Sequence, residues 1–344
     1  MKATSKMIDF RSDTVTKPSK DMLEAIVNAR VGDDEYSEDP EVNELQEYCA
    51  SLFGMEAGLF VTSGQMGNQL AISVLTNPGD EIVCSEGAHI LNYEKAAAAQ
   101  LSGVQIRPIP SNDGMFSKEV VEEVIERSKY HLPKISLLSW ENTHLSSGGS
   151  ILDHDMFVST SNYAKEKELG VHVDGARIWH SILENNINPK EVGKVIDSLT
   201  FCFSKGLGAP VGSMLLGKKD FISKARELRK VRGGGMRQVG VLAAAAKYAL
   251  DTKEKLVDDH SKANQIASYF INNSYPGIDK VIYKGTNMVF LVFDTEAHTD
   301  IFIDNLKEEG FKVATITPKV VRIVTHLDIN EEDLVRFISI LGKL

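Results

Sequence analysis

Cysteine is scarce in this chain, three in 344 residues, and nowhere does an apolar run approach the roughly 18 residues that a membrane-spanning helix needs. Cys49, Cys84 and Cys202 are odd in number, far apart and set in apolar surroundings, which argues against a disulfide framework or a zinc site. Positive charge is also in deficit. With 38 Lys and Arg against 48 Asp and Glu, the net charge of -10 argues against nucleic acid or an anionic membrane as the main partner, because neither offers counterion release to an acidic chain. No low-complexity tract, internal repeat or Gly/Ser/Pro-rich linker interrupts the sequence. The charged start, Met1 to Lys6, has no apolar stretch behind it, so the expected location is cytoplasmic. What is abundant is apolar residue, 42%, enough for a sizeable core and more than one domain.

The apolar residues fall into short runs: Leu59–Val61, Ile82–Cys84, Val104–Ile109, Ile135–Trp140, Val171–Val173, Leu199–Phe203 and Val211–Leu216. Segments of helical spacing lie between the earlier ones, as in Val42, Leu45, Cys49 and Leu52. Alternation of this kind predicts an α/β fold with a mostly parallel sheet, helices on both faces and ligands at the carboxyl ends of the strands. After about Leu250 the pattern changes. A long helical stretch from Gln238 to Asn273 is followed by strands at Val281–Tyr283, Met288–Phe293, Phe311–Ile316 and Val320–Val324, a helix near Asp300–Glu309 and a closing helix from Glu331. The expected organisation is an N-terminal segment over 1–20, a large domain over 21–250 and a small α+β domain over 251–344.

Two strand ends carry chemistry. Asp174 follows Val171-His172-Val173, and Lys205 follows Phe201-Cys202-Phe203-Ser204 and precedes a glycine-rich exit. A lysine and a carboxylate so placed, 31 residues apart, can hold the two ends of a pyridoxal phosphate ring, Lys205 as the Schiff base on the aldehyde and Asp174 on the pyridinium nitrogen. Taken singly, Lys205 also fits a surface lysine and Asp174 a helix N-cap. Phe60 to Asn68 supplies a strand, hydroxyls and a glycine ahead of a helix expected over Asn68–Leu75, and the N–H groups of Gly64 and Gln65 can grip a phosphate; it also fits an ordinary capped helix start. His89 can stack on the ring face or simply be packed or solvated. Arg322 ends an apolar strand, where it suits a substrate carboxylate or an ordinary ion pair at a sheet edge. Gly212 to Lys218 has Walker A spacing except that Lys219 replaces the magnesium-binding hydroxyl, so it reads as a strand and its turn. Gly233-Gly234-Gly235 lacks strand-loop-helix context and reads as a loop beside Arg232 and Arg237.

The chain resembles the low-specificity L-threonine aldolases, fold-type-I pyridoxal phosphate enzymes. The resemblance runs in order through Ile8 to Thr16, Val31 to Tyr36 with Glu38-Asp39-Pro40, Thr62-Ser63-Gly64, Ala88-His89-Ile90, Glu141-Asn142-Thr143-His144, Asp174-Gly175-Ala176-Arg177, Ser204 to Ser213, Gly233 to Gln238 and Val321-Arg322-Ile323. It departs from the usual pattern at Gln65 and Gly67, where threonine and serine are usual, and at Trp179 and His180; residues 1–6 precede the usual start and read as an extension.

The resemblance implies a homotetramer, a dimer of dimers with active sites at the dimer interface, and retro-aldol cleavage of L-threonine or L-allo-threonine to glycine and acetaldehyde. It implies that Lys205, Asp174, His89, Ser63, Gly64, Gln65, Ser204 and Arg177 hold the cofactor. Ser12, Arg177 and Arg322 would take the substrate carboxylate, with His144 at the β-hydroxyl as the base and His89 as the alternative. No resident metal is expected. The nearest rival is a β-eliminating lyase or aminotransferase on the same fold, since Asp174 and Lys205 would serve either. The Asp-Gly-Ala-Arg and Glu-Asn-Thr-His segments favour the aldolase.

Overall fold

The computed structural model describes residues 7–127 and 130–343; the extension expected at residues 1–6 lies outside them. The chain opens with β1 (Ile8–Asp9) and then builds a seven-stranded sheet from β2 (Ala57–Val61), β3 (Glu81–Ser85), β4 (Gln105–Ile109), β5 (Ile135–Glu141), β6 (Gly170–Asp174), β7 (Ser198–Cys202) and β8 (Ser213–Gly217). Their order is β2-β8-β7-β6-β5-β3-β4, and only β8 runs against its neighbours. Each expected apolar run is a strand of this sheet. The interior strands β3, β5, β7 and β8 are buried at every residue, as helices on both faces require. Edge strand β4 departs from the pattern: Gln105 and Pro108 are exposed, which a strand with one free edge tolerates.

Local chemistry sets the helix ends. Asp39 caps Pro40–Phe53 by accepting from Val42 N, Pro40 takes the first turn, and Gly54 closes the helix with φ of 65°. The stretch expected as one long helix is broken. Helices Gly240–Asp251 and Leu256–Asn272 are separated by a tight turn at Lys253–Lys255.

A second, antiparallel sheet has the order β12-β13-β10-β9, from β9 (Ile278–Tyr283), β10 (Met288–Phe293), β12 (Ala314–Thr317) and β13 (Val320–Val324). The expected single run Phe311–Ile316 is divided, because β11 (Phe311–Lys312) leaves this sheet to pair in parallel with β1. That pairing draws the N-terminal strand into the C-terminal core, where Phe10 packs against Phe311 and Phe337. Burying an aromatic side chain of this kind contributes about 1.5–3 kcal/mol, which explains why so short a strand is held. Among the described residues no helix is long and apolar enough to cross a membrane.

Candidate active site

Asp174 is the last residue of β6, and Lys205 lies three residues beyond β7. The neighbouring strands β6 and β7 therefore deliver both to the carboxyl edge of the sheet. Gly212 has φ of 113°, and a Cβ there would lie 2.4 Å from the Phe60 ring, so the turn from Lys205 back into β8 requires glycine. Between these strand ends opens a cavity of about 340 Å³ lined by Ser63, Gly64, Gln65, His89, Asp174, Ser204 and Lys205, together with Thr14, Asn68 and Cys202. Its volume falls at the lower end of the roughly 300–1,000 Å³ typical of small-molecule sites. Of the expected cofactor residues, only Arg177 is absent from the lining.

The helix Gly64–Leu75 points its start into this cavity. Ser63 Oγ accepts from Met66 N at 3.1 Å, while the N–H groups of Gly64 and Gln65 lie in the first turn and have no acceptor within the helix. A Cβ on Gly64 would lie 2.7 Å from Cys202 Sγ, and one on Gly67 would lie 2.6 Å from Thr200 Cγ2. Small residues thus let the helix start approach β7 closely and leave an anion cradle. The side chain of Gln65 turns aside to donate to the Glu94 carbonyl at 3.3 Å, so its backbone, not its amide, faces the cradle.

Beneath the cavity lies a hydrogen-bond network that the sequence reading missed. Asp174 Oδ1 accepts from Ala176 N at 3.1 Å and Oδ2 from Asn68 Nδ2 at 2.8 Å. The same Asn68 nitrogen donates to Glu94 Oε1 at 2.9 Å, and Asn68 Oδ1 lies 3.1 Å from His172 Nε2. That oxygen can only accept, so His172 carries its proton on Nε2 and accepts from Ser198 Oγ on Nδ1, at 2.8 Å. Burial, only partly offset by the charge of Asp174, pushes His172 down to about 4. It is neutral at neutral pH. His89 Nδ1, Glu94 Oε1 and Asp174 Oδ2 lie within 4.8 Å of one another, but the Asn68 N–H already bridges the two carboxylates, so a bound cation would have to displace it.

His89 opens a short helix at the cavity wall. Its backbone N–H donates to Glu141 Oε2 at 2.7 Å, and its Nδ1 lies 3.0 Å from Glu94 Oε1 and 4.0 Å from Asp174 Oδ2. Burial alone would lower its pKa, but the hydrogen bond to Glu94 and the charges of Asp174, Glu94 and Glu141 together raise it. Glu141, paired with Asp174 across β5 and β6, is itself raised, by burial first and then by that neighbouring carboxylate.

His144 is elsewhere. It is 2% exposed, its Nε2 is 3.0 Å from Ser85 Oγ and its Nδ1 is 2.8 Å from Ser147 Oγ. Burial lowers it to about 4. Gly87 and Gly114 close over the ring, which does not line the cavity. Both of its ring nitrogens are engaged by serines.

The expected carboxylate-binding residues lie beside the cavity around residues 11–13. Arg177 Nε and Nη2 donate to Asp13 Oδ2 and Oδ1 at 2.8 and 2.6 Å, both side chains being buried. Asp13 thus holds the guanidinium that the resemblance assigns to ligand binding. Arg322 donates from Nε and Nη2 to the Arg11 carbonyl at 3.2 and 2.9 Å, while Ser12 accepts from Thr14 N and Oγ1. Burial and the nearby charge of Arg177 lower the proton affinity of Arg322, so two guanidinium groups of like charge face the same region. The unusual Trp179 and His180 are buried: Trp179 packs against Phe53 and Phe201, and His180 Nδ1 lies 2.8 Å from His260 Nε2. Of the missed residues, Asn68 had a signal, an amide within the apolar stretch of a helix beside the candidate phosphate cradle. Asp13 meets its partner Arg177 across 164 residues, and Glu94 joins the network through Asn68, 26 residues away, as well as through His89, five away.

Residues 9–294 match the beta-eliminating lyase family. The chain is 40% identical to a low specificity L-threonine aldolase of Escherichia coli (strain K12), over 95% of this chain and 96% of that protein. It is 37% identical to low-specificity L-threonine aldolase 1 of Arabidopsis thaliana, over 95% of this chain and 93% of that one. In fold it resembles the threonine aldolase of Leishmania major, with a TM-score of 0.83, 18% identity and coverage of 98% and 99% of the two chains.

Proposed function

Because the chain belongs to the beta-eliminating lyase family, alongside low-specificity L-threonine aldolases that match it nearly end to end, we propose the following reading of its site. The protein is a carbon–carbon lyase, a pyridoxal-phosphate-dependent L-threonine aldolase that cleaves L-threonine and L-allo-threonine to glycine and acetaldehyde. The observation that carries the reading is the convergence of Lys205, Asp174, His89 and the helix start at Gly64 on one cavity.

These residues fit the cofactor. The Gly64 and Gln65 N–H groups with Ser204 suit a phosphate, the Asp174 carboxylate suits a pyridinium N–H, His89 suits the ring face and Lys205 the aldehyde. When bound, pyridoxal phosphate supplies an electron sink for the bond being cleaved. The chain's own residues do the rest. Arg322, with Arg177 and Ser12 beside it, receives the substrate carboxylate and so fixes which bond at Cα is presented for cleavage. Asp13 holds Arg177 in place. His89, at the cavity wall, takes the β-hydroxyl proton at Nε2, in place of His144.

The finer organisation is also part of this proposal. Two domains over 21–250 and 251–344, after an N-terminal segment over 1–20, are supported by the two sheets with their separate cores. A homotetramer, a dimer of dimers with active sites at the dimer interface, is supported by Leu23, Val27, Val31 and Tyr36, large apolar side chains left 47 to 83% exposed. A cytoplasmic location is supported by three buried free thiols.

The test is to incubate purified protein with pyridoxal phosphate and either threonine epimer, following acetaldehyde through coupled alcohol dehydrogenase and glycine by amino-acid analysis. Equal amounts of both are expected. A 2-oxo acid with ammonia, or an amino-group exchange without acetaldehyde, would replace the aldolase by the lyase or aminotransferase reading.

A further inference from the structure

We propose that Glu94 is a positioning residue for the cleavage step: its carboxylate holds the Nδ1–H of His89, so that Nε2 of the same ring is left to accept the proton of the substrate hydroxyl. The inference rests on the reading of His89 as the base.

Glu94 is fully buried, and its two oxygens accept from three N–H donors: Asn68 Nδ2 at 2.9 Å, Gln69 Nε2 at 2.7 Å and His89 Nδ1 at 3.0 Å. A carboxylate can only accept, so Nδ1 must carry a proton and, in the neutral ring, Nε2 must carry the lone pair. The donors are themselves fixed. Asn68 is held by Asp174 and His172, and Gln65 donates to the Glu94 carbonyl, tying this residue to the start of the cofactor-cradling helix.

The charges facing His89 are Glu94, Asp174 at 4.0 Å from Nδ1, Glu141 through the backbone N–H, and Lys205 across the cavity; the Tyr93 ring lies 5.5 Å away. Glu94 alone of these bonds to a ring nitrogen. A carboxylate in that position fixes the tautomer and stabilises the imidazolium that forms when the other nitrogen is protonated. The proton moves from the β-hydroxyl oxygen to Nε2 and leaves Nε2 when the glycine carbon is reprotonated, so His89 ends the cycle as it began.

Glu94→Gln separates this role from packing, because it is isosteric but brings an NH₂ group. The amide nitrogen faces Gln69, whose buried Oε1 lacks a partner and can turn to accept it, while the amide oxygen still accepts from Asn68 Nδ2 and from Nδ1; the tautomer is kept and the charge that stabilises the imidazolium is lost. In holoenzyme, the variant is expected to keep its cofactor and its KM while kcat at neutral pH falls roughly 10-fold, the scale of one pKa unit lost by the base. Independently of turnover, ¹⁵N-histidine spectra with the His89 signal assigned through His89→Asn should show its titration shifted to lower pH. If Glu94→Gln does not fold, Glu94→Asp serves instead, keeping the charge one methylene short of Nδ1, and a partial shift in the same direction is expected. An unmoved His89 titration, or a rate loss equal at every pH, reduces Glu94 to packing and overturns the proposal. Failure of the underlying reading looks different: wild-type enzyme yields no acetaldehyde, or His89→Asn keeps wild-type kcat, whatever Glu94 does to the spectrum.

Discussion

Arg177 and Asp13 form a buried bidentate pair across 164 residues of sequence, joining the loop after β6 to the N-terminal segment. Burial by itself would raise the Asp13 pKa, but the charge and hydrogen bonds of Arg177 outweigh it and hold the carboxyl well below the usual carboxylate range. Asp13→Ala strands a desolvated guanidinium and should cost about 3–5 kcal/mol in urea unfolding, with a raised KM because Arg177 loses its anchor. The sign of the pH dependence follows from a lowered native pKa. The contribution is fully present above the unfolded value of 3.8 and is lost as pH falls toward the native one, so the wild-type advantage over Asp13→Ala should shrink only in acid. A stability loss below about 1 kcal/mol, the scale of an exposed pair, would contradict this account.

Asn68 is the hinge of the buried network. Asn68→Ala removes the N–H between Asp174 and Glu94 and leaves the His172 Nε2–H without its acceptor. Hydrogen bonds to charged groups contribute about 1.5–3 kcal/mol each, so affinity for pyridoxal phosphate should fall by roughly 10- to 100-fold. Fluorescence titration of apoenzyme with the cofactor measures this, and an unchanged dissociation constant would show that Asp174 needs no such support.

His172 offers a pH test of stability. Its pKa is lowered from 6.5 to about 4 by burial, so the native state binds fewer protons than the unfolded chain between those values. Its effect on stability must therefore fall as pH drops through that window and recover as pH rises. Against His172→Gln, the wild-type denaturation midpoint should lose ground between about pH 6.5 and pH 4. Parallel midpoint curves for the two proteins would rule out His172 as a source of acid sensitivity.

The strands are legible because each is a short apolar run, and of the two that matter one ends at Asp174 and the other three residues before Lys205. The hydroxyls and glycine before this helix mark the phosphate cradle, but the helix starts at Gly64, four residues before the expected Asn68, because Ser63 caps it. His144 was placed by its motif, and a motif does not say which way a ring turns; Ser85 and Ser147, 59 and 3 residues away, decide that. The role of Arg177 comes from the resemblance alone, and its partner Asp13 becomes visible only in the fold. Pairings across long stretches of chain, such as Asp13 with Arg177 or β1 with β11, leave no local pattern to find.

Arg322 tests the substrate side of the reading. Its guanidinium is tethered by the Arg11 carbonyl and lowered in proton affinity by burial and by the charge of Arg177, a like-charge arrangement that an arriving carboxylate relieves. Arg322→Lys keeps a positive charge but loses the planar fork, so one end of a bidentate contact disappears. With about 1.5–3 kcal/mol at stake in such a hydrogen bond, KM for threonine should rise roughly 10- to 100-fold while kcat changes far less. Acetate, which offers the carboxylate without the amine, should inhibit the wild type competitively and the lysine variant much less. If instead kcat falls with KM unchanged, Arg322 contributes to the transition state alone, and the residue that first captures the substrate carboxylate must be another.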